Sequence, residues 1–269
     1  MSCGRMPDLS SRAGVMNLRG KSYDRWSGEI ESMRRYRKKI SDTRMCGRFS
    51  LTVSRDDLRR RFDIDFPADA YRPRYNAAPS QELLVVPQES PRRAELYRWG
   101  LIPGWAKDSK AGNRLINARA ETIAQKPMFR SQFKKQRCLV LADGFYEWDK
   151  KGAKKVPYRV TLKDEEPFAF AGIYDTWQDA AGKEIRSFSI ITTASNDLIG
   201  RIRDRMPVIL SKRDERAWIN PDKAPDDLRK LLRPFPEKEM KMWEISVLVN
   251  KPSNDVPAVI EPLEDKRET

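Results

Sequence analysis

The sequence predicts an α+β domain built on an antiparallel β-sheet that closes toward a barrel. Strand-like segments outnumber helical ones, and the short helices stand among them without the regular βαβ alternation of a parallel fold. Two turn-rich segments, at 149–155 and 179–184, have the composition of β-hairpin connections. A chain of 269 residues has room for one large domain or two small ones.

The first 44 residues differ in composition from the rest of the chain. They hold 11 Lys and Arg residues against 5 Asp and Glu residues, and their apolar residues are sparse. The segment SMRRYRKKIS at 32–41 would form a basic helical turn or two without a face to bury. We therefore expect 1–44 to be a disordered basic extension and 45–269 to form the domain.

Strand and helix signals follow one another from residue 45 onward. CGRFSLTV at 46–53 alternates like a strand, and SRDDLRRRF at 54–62 has a Ser cap, early acidic residues and final arginines, which predicts a helix. Prolines make 65–82 turn-rich, and short helices are predicted at 214–219 and 225–232. The further predicted strands are 82–88, 94–103, 137–149, 157–162, 167–177, 186–195, 206–211, 244–250 and 257–263.

The absence of histidine restricts the chemistry that this chain can perform. Without imidazole, Ser-His-Asp catalysis, Cys-His catalysis and His-ligated metal sites are excluded. The three cysteines, Cys3, Cys46 and Cys138, are too few and too scattered for a Cys-only zinc site or a disulfide scaffold. We therefore expect no metal and no other cofactor.

Charge and hydropathy point to an anionic partner and away from membranes. The formal net charge of +14 makes nucleic acid the first candidate partner, with simple solubility as the alternative. The apolar runs are too short to span a bilayer, and no apolar signal region follows the N-terminus. The sequence thus predicts a soluble protein of a reducing, intracellular compartment.

Four short segments place polar or charged residues among apolar ones. They are MCGRF (45–49), LINARAET (115–122), ADGFYEW (142–148) and IRDRMP (202–207). Because buried polar groups need partners, these residues either pair with one another or line a cleft.

Six motifs together resemble those of the SOS response-associated peptidase family, the proteins that process abasic sites by crosslinking to them in single-stranded DNA. In chain order they are MCGRF, YNAAPSQ (75–81), WGLIPGW (99–105), LINARAET, ADGFYEW and DRMPVIL (204–210). The resemblance covers about 46–263. It implies a single α+β domain with a twisted, barrel-like β core, peripheral helices and a basic groove.

The chemistry expected at Cys46 follows from its functional groups. An abasic deoxyribose is in equilibrium with an open-chain aldehyde, and a free α-amine condenses with an aldehyde to an imine. The thiol of an N-terminal Cys then closes onto the imine carbon and forms a five-membered thiazolidine. Because an α-amine has a pKa of about 7.7–8, part of it is neutral at pH 7 and needs little help from a base.

Three alternatives remain for Cys46, because an amide nitrogen that follows Met45 has no nucleophilic lone pair. In the first, translation starts at Met45 and the initiator Met is removed, so that 1–44 is not part of the protein. Alternatively, self-cleavage frees Cys46, as the family name suggests. In the third case the extension is retained and the crosslinking chemistry is lost.

The resemblance also assigns roles to single residues. Asn117 would orient the Cys46 amine and the sugar, and Glu147 would act as general acid and base, with a pKa raised by partial burial. The phosphates beside the lesion would be bound by Arg48, Arg119 and Arg205. The pocket wall would be shaped by Asn76 and Pro79, and Trp105 would be a base-stacking platform.

One position departs from the family pattern. Where the family usually has His before Asp-Arg-Met-Pro, this chain has Arg203. Because Arg stays protonated, it cannot act as a general base, although it can donate to the sugar ring oxygen or to a phosphate. We expect thiazolidine formation to survive and steps that need a proton acceptor there to be weakened.

Three functions are therefore compared. The first is a DNA-damage protein that links Cys46 to abasic sites in single-stranded DNA, acts as a monomer in the nucleoid-associated cytoplasm and has weak lyase activity. The second is a self-processing peptidase that cleaves the 45–46 bond. The third is a non-catalytic nucleic-acid-binding module, in which the missing His marks lost chemistry.

Overall fold

A computed structural model of the chain describes residues 46–67, 69–149 and 155–263. The basic extension predicted at 1–44 lies outside the described residues. Within them, no helix is long and apolar enough to cross a membrane.

Strands dominate the described part of the chain, as the sequence predicts. They are β1 (Phe49–Leu51), β2 (Arg74–Ala77), β3 (Glu82–Pro87), β4 (Glu95–Trp99), β5 (Asn117–Arg119), β6 (Arg137–Ala142), β7 (Gly144–Asp149), β8 (Val156–Leu162), β9 (Phe168–Gln178), β10 (Glu184–Ala194), β11 (Arg205–Pro207), β12 (Ile209–Leu210) and β13 (Met240–Glu244).

Five of these strands close into a ring that forms the centre of the domain. Strand β10 pairs with β4 and β9, β3 pairs with β4 and β6, and β6 pairs with β9. The predicted α+β fold with a barrel-like β core is confirmed. The sheet is mixed rather than wholly antiparallel, because β4 and β5 both run parallel to β10, one after the other along the same edge.

A second, antiparallel sheet has the order β13-β8-β7-β1-β2. The sequence predicts 137–149 as one strand. In the structure the first half of this segment forms β6 in the barrel, and the second half forms β7 in this sheet. The corner between them is Asp143, whose buried carboxylate accepts bonds from the Ser50 hydroxyl and from the backbone and hydroxyl of Thr52. Alternation alone does not reveal this corner, because the apolar pattern continues through it.

The described residues form five short α-helices: α1 (Arg55–Phe62), α2 (Arg130–Lys135), α3 (Asp197–Gly200), α4 (Lys212–Trp218) and α5 (Pro225–Leu231). The predicted helix at 54–62 is confirmed together with its cap, because the Ser54 hydroxyl accepts from the Asp57 backbone N–H. The helices predicted at 214–219 and 225–232 correspond to α4 and α5.

The two strands predicted at the C-terminal end are wrong. The strand of this region is β13, and 3₁₀ turns follow at Val247–Asn250 and Pro257–Val259. Ser246 caps the first turn by accepting from the Leu248 N–H. The side chains of Arg48 and Asn76 bind carbonyls of this segment, and its two ends pair only at one antiparallel bridge between Ile245 and Pro262.

Two apolar clusters pack on opposite faces of the barrel strands, since neighbouring strand residues point to opposite sides. Leu83 and Val85 of β3 join a cluster with Phe49 and Phe145 of the second sheet. The alternate residues of β3 join a cluster that contains Leu58 of α1 and apolar residues of α2, α4 and α5. The helices thus cover one face of the barrel strands, and residues of the second sheet join the apolar cluster on the other face.

Arg137 joins the ends of two helices to the start of β6. Its guanidinium is fully buried and donates to the carbonyls of Phe133 and Lys134 at the end of α2. It also donates to the carbonyls of Trp218 and Asn220 at the end of α4. Because the last carbonyls of a helix have no partner within the helix, this side chain satisfies both ends at once.

We expect Arg137→Met to lower the free energy of unfolding by at least about 3 kcal/mol, because it leaves buried carbonyls without donors. Urea denaturation followed by circular dichroism measures the change. Arg92→Met is the matched control: the Arg92 side chain is 83% exposed, so its replacement should change stability by no more than about 0.5 kcal/mol. Equal effects of both substitutions would contradict this role of Arg137.

Candidate active site around Cys46

The first described residue, Cys46, lies three positions before the start of β1 and is buried, with 1% of its surface exposed. Its backbone nitrogen donates to Glu147 Oε1 at 2.8 Å. Its Sγ lies 3.9 Å from the Arg48 carbonyl oxygen. Burial, and next the nearby Glu147 carboxylate, raise the pKa of this thiol well above its ordinary value.

The pairing of β1 with β7 brings Glu147 to this position. The register opposes Phe49 to Phe145, and the Tyr146 N–H donates to the Arg48 carbonyl. Continuing the antiparallel register, the residues before β1 run alongside the end of β7, so that Cys46 arrives beside Glu147. The Glu147 side chain is buried, with 2% of its surface exposed.

The Glu147 carboxyl is shared between two donors. Oε1 accepts from the Cys46 nitrogen, and Oε2 accepts from Arg203 Nε at 3.0 Å. Burial raises the pKa of Glu147 to about 7, although Arg203 and the Cys46 N–H both act to lower it. A carboxyl of this pKa can both give and take a proton at neutral pH.

Two further residues complete the group. Asn117, at the start of β5, donates from Nδ2 to the Cys46 carbonyl at 3.2 Å. Arg203 follows α3, where its backbone N–H donates to the Ile199 carbonyl. The four residues predicted as catalytic, Cys46, Asn117, Glu147 and Arg203, thus come from four separate places in the chain and meet at one point.

Arg48 and Asn76, predicted as DNA-binding, both hold the C-terminal segment. Arg48 donates to the carbonyls of Val249 and Asn250 and to Asn76 Oδ1. The Asn76 amide donates to the carbonyls of Val249, Lys251 and Asn254. Because Asn76 has no exposed surface, it can shape the wall of the site but offers no face to DNA.

Asp255 fixes the same segment from the other side, and the sequence gives no signal for it. Its Oδ1 accepts from the backbone N–H groups of Tyr75 and Asn76, and its Oδ2 lies 2.8 Å from Arg74 Nε. The apolar pattern of 257–263 suggests a strand, so the role of this Asp becomes evident only from the folded chain.

The remaining residues that we predict to bind DNA differ in how far their side chains are available to a ligand. Arg205 makes a two-bond ion pair with Glu121 and also donates to the Thr192 carbonyl, so most of its donors are engaged within the protein. Arg119 is exposed, and Pro79 is half-buried.

Of the two tryptophans in WGLIPGW, only the second faces solvent. Trp105 is 72% exposed, whereas Trp99 is fully buried and donates from Nε1 to the Ile116 carbonyl. Among the described residues, no group of three or more Cys, Asp or Glu side chains is arranged to hold a metal ion.

Comparisons with known proteins agree on one family. The profile of "SOS response associated peptidase (SRAP)" matches residues 45–252. The abasic site processing protein YoqW of Bacillus subtilis is 46% identical over 222 residues, which are 81% of this chain and 99% of that protein. The abasic site processing protein HMCES of Xenopus tropicalis is 31% identical, over 79% of this chain and 77% of its own length. A crystal structure of a Bacteroides thetaiotaomicron protein aligns with a TM-score of 0.73 at 31% identity and covers 81% of this chain and all of its own.

The position of Glu147 predicts how stability depends on pH. Because its pKa rises from 4.5 to about 7 on folding, the folded chain holds this proton more tightly than the unfolded chain does. The resulting stabilisation is complete below pH 4.5 and is lost as the pH rises to 7, with an upper limit of about 3 kcal/mol. Glu147→Gln should remove this dependence, as measured by melting temperatures between pH 4.5 and 8.

Glu165→Gln is the control for this measurement. Its exposed carboxyl has a lowered pKa because Lys241 donates a hydrogen bond to it, so its removal should change the pH profile weakly and in the opposite sense. A pH profile of Glu147→Gln that matched the parent would contradict the burial of a titrating carboxyl at this site.

Proposed function

This chain belongs to the SOS response associated peptidase family, and from that membership we propose that it links covalently to abasic sites in single-stranded DNA through Cys46. The names of its relatives support abasic site processing in the DNA damage response. The observation that carries the covalent step is the Cys46 nitrogen, 2.8 Å from a buried carboxyl with a pKa of about 7.

The reaction joins a 1,2-aminothiol to an aldehyde with the loss of one water. A free Cys46 amine attacks C1′ of the open-chain sugar and forms a carbinolamine. Protonation of its hydroxyl releases water and leaves an imine. The Cys46 sulfur then bonds to the imine carbon while its proton passes to the nitrogen, which closes the thiazolidine ring.

Glu147 is the residue that moves protons in these steps. In its acidic form it can protonate the ring oxygen of the closed sugar, which opens to the aldehyde, and later the departing hydroxyl. In its ionised form it can take a proton from the amine. A pKa of about 7 keeps both forms populated at neutral pH, which is the condition for a general acid and base.

Asn117 and Arg203 hold these groups in place. Asn117 fixes the Cys46 backbone through its carbonyl, so that the nitrogen stays directed at Glu147. Arg203 binds the other oxygen of the carboxyl and favours its ionised form. Because Arg203 cannot accept a proton, Glu147 remains the acceptor nearest to the reacting nitrogen.

DNA would reach the site as a single strand, since C1′ of a stacked duplex nucleotide is accessible only after extrusion. The exposed Arg119, together with the free donors of Arg48 and Arg205, would bind phosphates. Binding should accordingly weaken as salt rises. The proposal takes the protein to act as a monomer, at the nucleoid in the cytoplasm.

The free amine requires that no residue precede Cys46. Translation from Met45 followed by removal of the initiator would supply it, and the family match begins at that residue. Cleavage of the 45–46 peptide bond would supply the same group from the longer chain.

A second candidate function, self-cleavage, is favoured by one contact. The nitrogen that Glu147 binds is the leaving group of the 45–46 bond, so this carboxyl could protonate it as the bond breaks. Attack of the Cys46 thiol on the preceding carbonyl would give a thioester, which water hydrolyses to a new C-terminus and a free Cys46.

The imine that Cys46 forms with the sugar would also permit β-elimination of the DNA strand, which would give the protein weak lyase activity.

The covalent proposal predicts a stable adduct on Cys46. A protein beginning at Met45, purified after initiator removal, should gain the mass of an abasic oligonucleotide less one water. Cys46→Ala and Cys46→Ser should each abolish the stable adduct and leave only a reversible imine, because both keep the α-amine and the thiazolidine needs sulfur. Intact-protein mass spectrometry makes both measurements.

The outcomes separate the three functions. Cleavage of the full-length chain before Cys46, lost in Glu147→Gln, would support self-processing as the source of the amine. Binding to DNA without any adduct, even from the protein that begins at Cys46, would contradict the covalent proposal and leave a non-catalytic binding module.

The exchange of the family's usual His for Arg203 predicts a long-lived crosslink. Hydrolysis of the adduct needs a proton acceptor, and general base assistance contributes about 10²-fold or more. Arg203→His should therefore accelerate release of protein from the purified adduct by tenfold or more, while crosslink formation changes little. Arg203→Gln, which is neutral and not a base, is the control. Equal release rates for the His variant and the parent would remove Arg203 from the mechanism.

A further inference from the structure

Arg203 has hydrogen-bond donors that the contacts of the candidate site leave unused. Within its guanidinium only Nε is bound, to Glu147 Oε2 at 3.0 Å. Among the residues that the structure describes, no hydrogen bond reaches its two terminal nitrogens, and neither of these atoms is fully buried. The side chain is 15% exposed, so a small ligand that enters the site can meet these two nitrogens.

The positive charge of Arg203 is only partly offset. Its one ion pair within the described part of the chain is with Glu147, whose pKa of about 7 leaves that carboxyl uncharged part of the time. Arg205, two positions further along, differs because both of its terminal nitrogens bind the Glu121 carboxylate. Arg203 therefore keeps both a positive charge and two donor groups for an anion.

These donors lie next to the reacting group of Cys46. The Cys46 nitrogen binds Oε1 of the same carboxyl, so that this nitrogen and the guanidinium stand on either side of Glu147. Burial raises the pKa of the Cys46 thiol, and the charge of Arg203 acts in the opposite direction, as a cation near the sulfur does. An aldehyde that reacts at Cys46 thus does so beside a cation with a planar pair of donors.

The geometry of a guanidinium selects one kind of anion among small aldehydes. Two N–H groups of an arginine bind the two oxygens of a carboxylate in parallel, which is stronger and more directional than a neutral contact. A molecule with an aldehyde and a carboxylate on adjacent carbons can present the aldehyde to the Cys46 nitrogen and the carboxylate to Arg203. A neutral aldehyde of the same size leaves these donors unused.

We propose that Cys46 and Arg203 together capture small aldehydes that carry a carboxylate next to the carbonyl carbon, such as glyoxylate, and that this capture competes with linkage to DNA. The proposal rests on the proposed function, because it requires the same free α-amine at Cys46.

The reaction follows the same steps as linkage to an abasic site. The amine attacks the aldehyde carbon and forms a carbinolamine, which loses water and leaves an imine. The Cys46 sulfur then bonds to that carbon while its proton passes to the nitrogen. The product is a thiazolidine that carries the carboxylate, and one water is released.

The test measures how fast the protein that begins at Cys46 gains the mass of glyoxylic acid less one water, with glycolaldehyde as the neutral comparison. Because the two aldehydes differ in intrinsic reactivity, the ratio of their rates is divided by the ratio for the peptide CGRFSL, which has the same N-terminus. We expect this corrected ratio to favour glyoxylate by about tenfold, since only its carboxylate makes charge-assisted hydrogen bonds to Arg203.

Substitutions of Arg203 separate its role in binding from its effect on Glu147. Arg203→Gln should lower the corrected ratio to about that of the peptide, and Arg203→Lys should keep part of the preference, because lysine has the charge without the planar fork. An effect on the Glu147 carboxyl cancels in the ratio, since both aldehydes use it in the same way. Arg201→Gln is the matched control: Arg201 is exposed two positions away, and its replacement should leave the ratio unchanged.

Competition with DNA is measured on the same protein. Preincubation with glyoxylate should lower the fraction that forms the adduct with an abasic oligonucleotide, and glycolaldehyde at the same concentration should lower it less.

Two results would overturn the inference: no preference for glyoxylate in the parent, or the same preference in Arg203→Gln. A protein that links to abasic DNA without preferring glyoxylate would retain the proposed function and lose only the capture of carboxylate-bearing aldehydes. If neither aldehyde nor abasic DNA added mass at Cys46, the proposed function would fail together with this inference.

Discussion

The Glu147 carboxyl, bound on one oxygen by the Cys46 nitrogen and on the other by Arg203, is the interaction on which the candidate site depends. A carboxyl that is almost fully enclosed needs donors on both oxygens to remain ionised even part of the time. Those two donors keep its pKa near 7 instead of letting burial raise it further. One of the two bonds also fixes the Cys46 nitrogen, which is the nucleophile of the proposed reaction.

The two sheets make this arrangement possible. A closed ring of five strands provides a rigid base, and the corner at Asp143 leads the chain out of the ring into the second sheet, where β7 carries Glu147 beside the chain entering β1. Asn117 arrives on β5, which lies along the same edge of β10 as β4 does. Asn117 and Glu147 lie 71 and 101 positions from Cys46 along the chain, and strand pairing brings them to it.

The number of arginines near the site overstates how many hydrogen-bond donors are left to bind DNA. Arg48 and Arg205 were predicted to bind phosphates, yet most of their donors bind carbonyls or carboxylates of the protein. Asn76 is buried under the segment it holds. Trp105, by contrast, is exposed on a turn in which the Gly104 N–H donates to Asp175 and the Ala106 carbonyl accepts from Trp177.

The sequence by itself determined the α+β class, the helix capped by Ser54 and the exclusion of imidazole chemistry, and its family resemblance singled out the four residues that meet in the candidate site. These follow from local pattern, motif order and composition, which need no knowledge of distant contacts. Only the tertiary structure decided that 137–149 is two strands, that the C-terminal segment forms 3₁₀ turns, and that Asp255, Asp175 and Trp177 hold neighbouring segments in place. Their partners are backbone groups far away in the chain. Because almost every residue carries the same backbone N–H and carbonyl, a side-chain pattern does not predict which backbone group a buried side chain will bind.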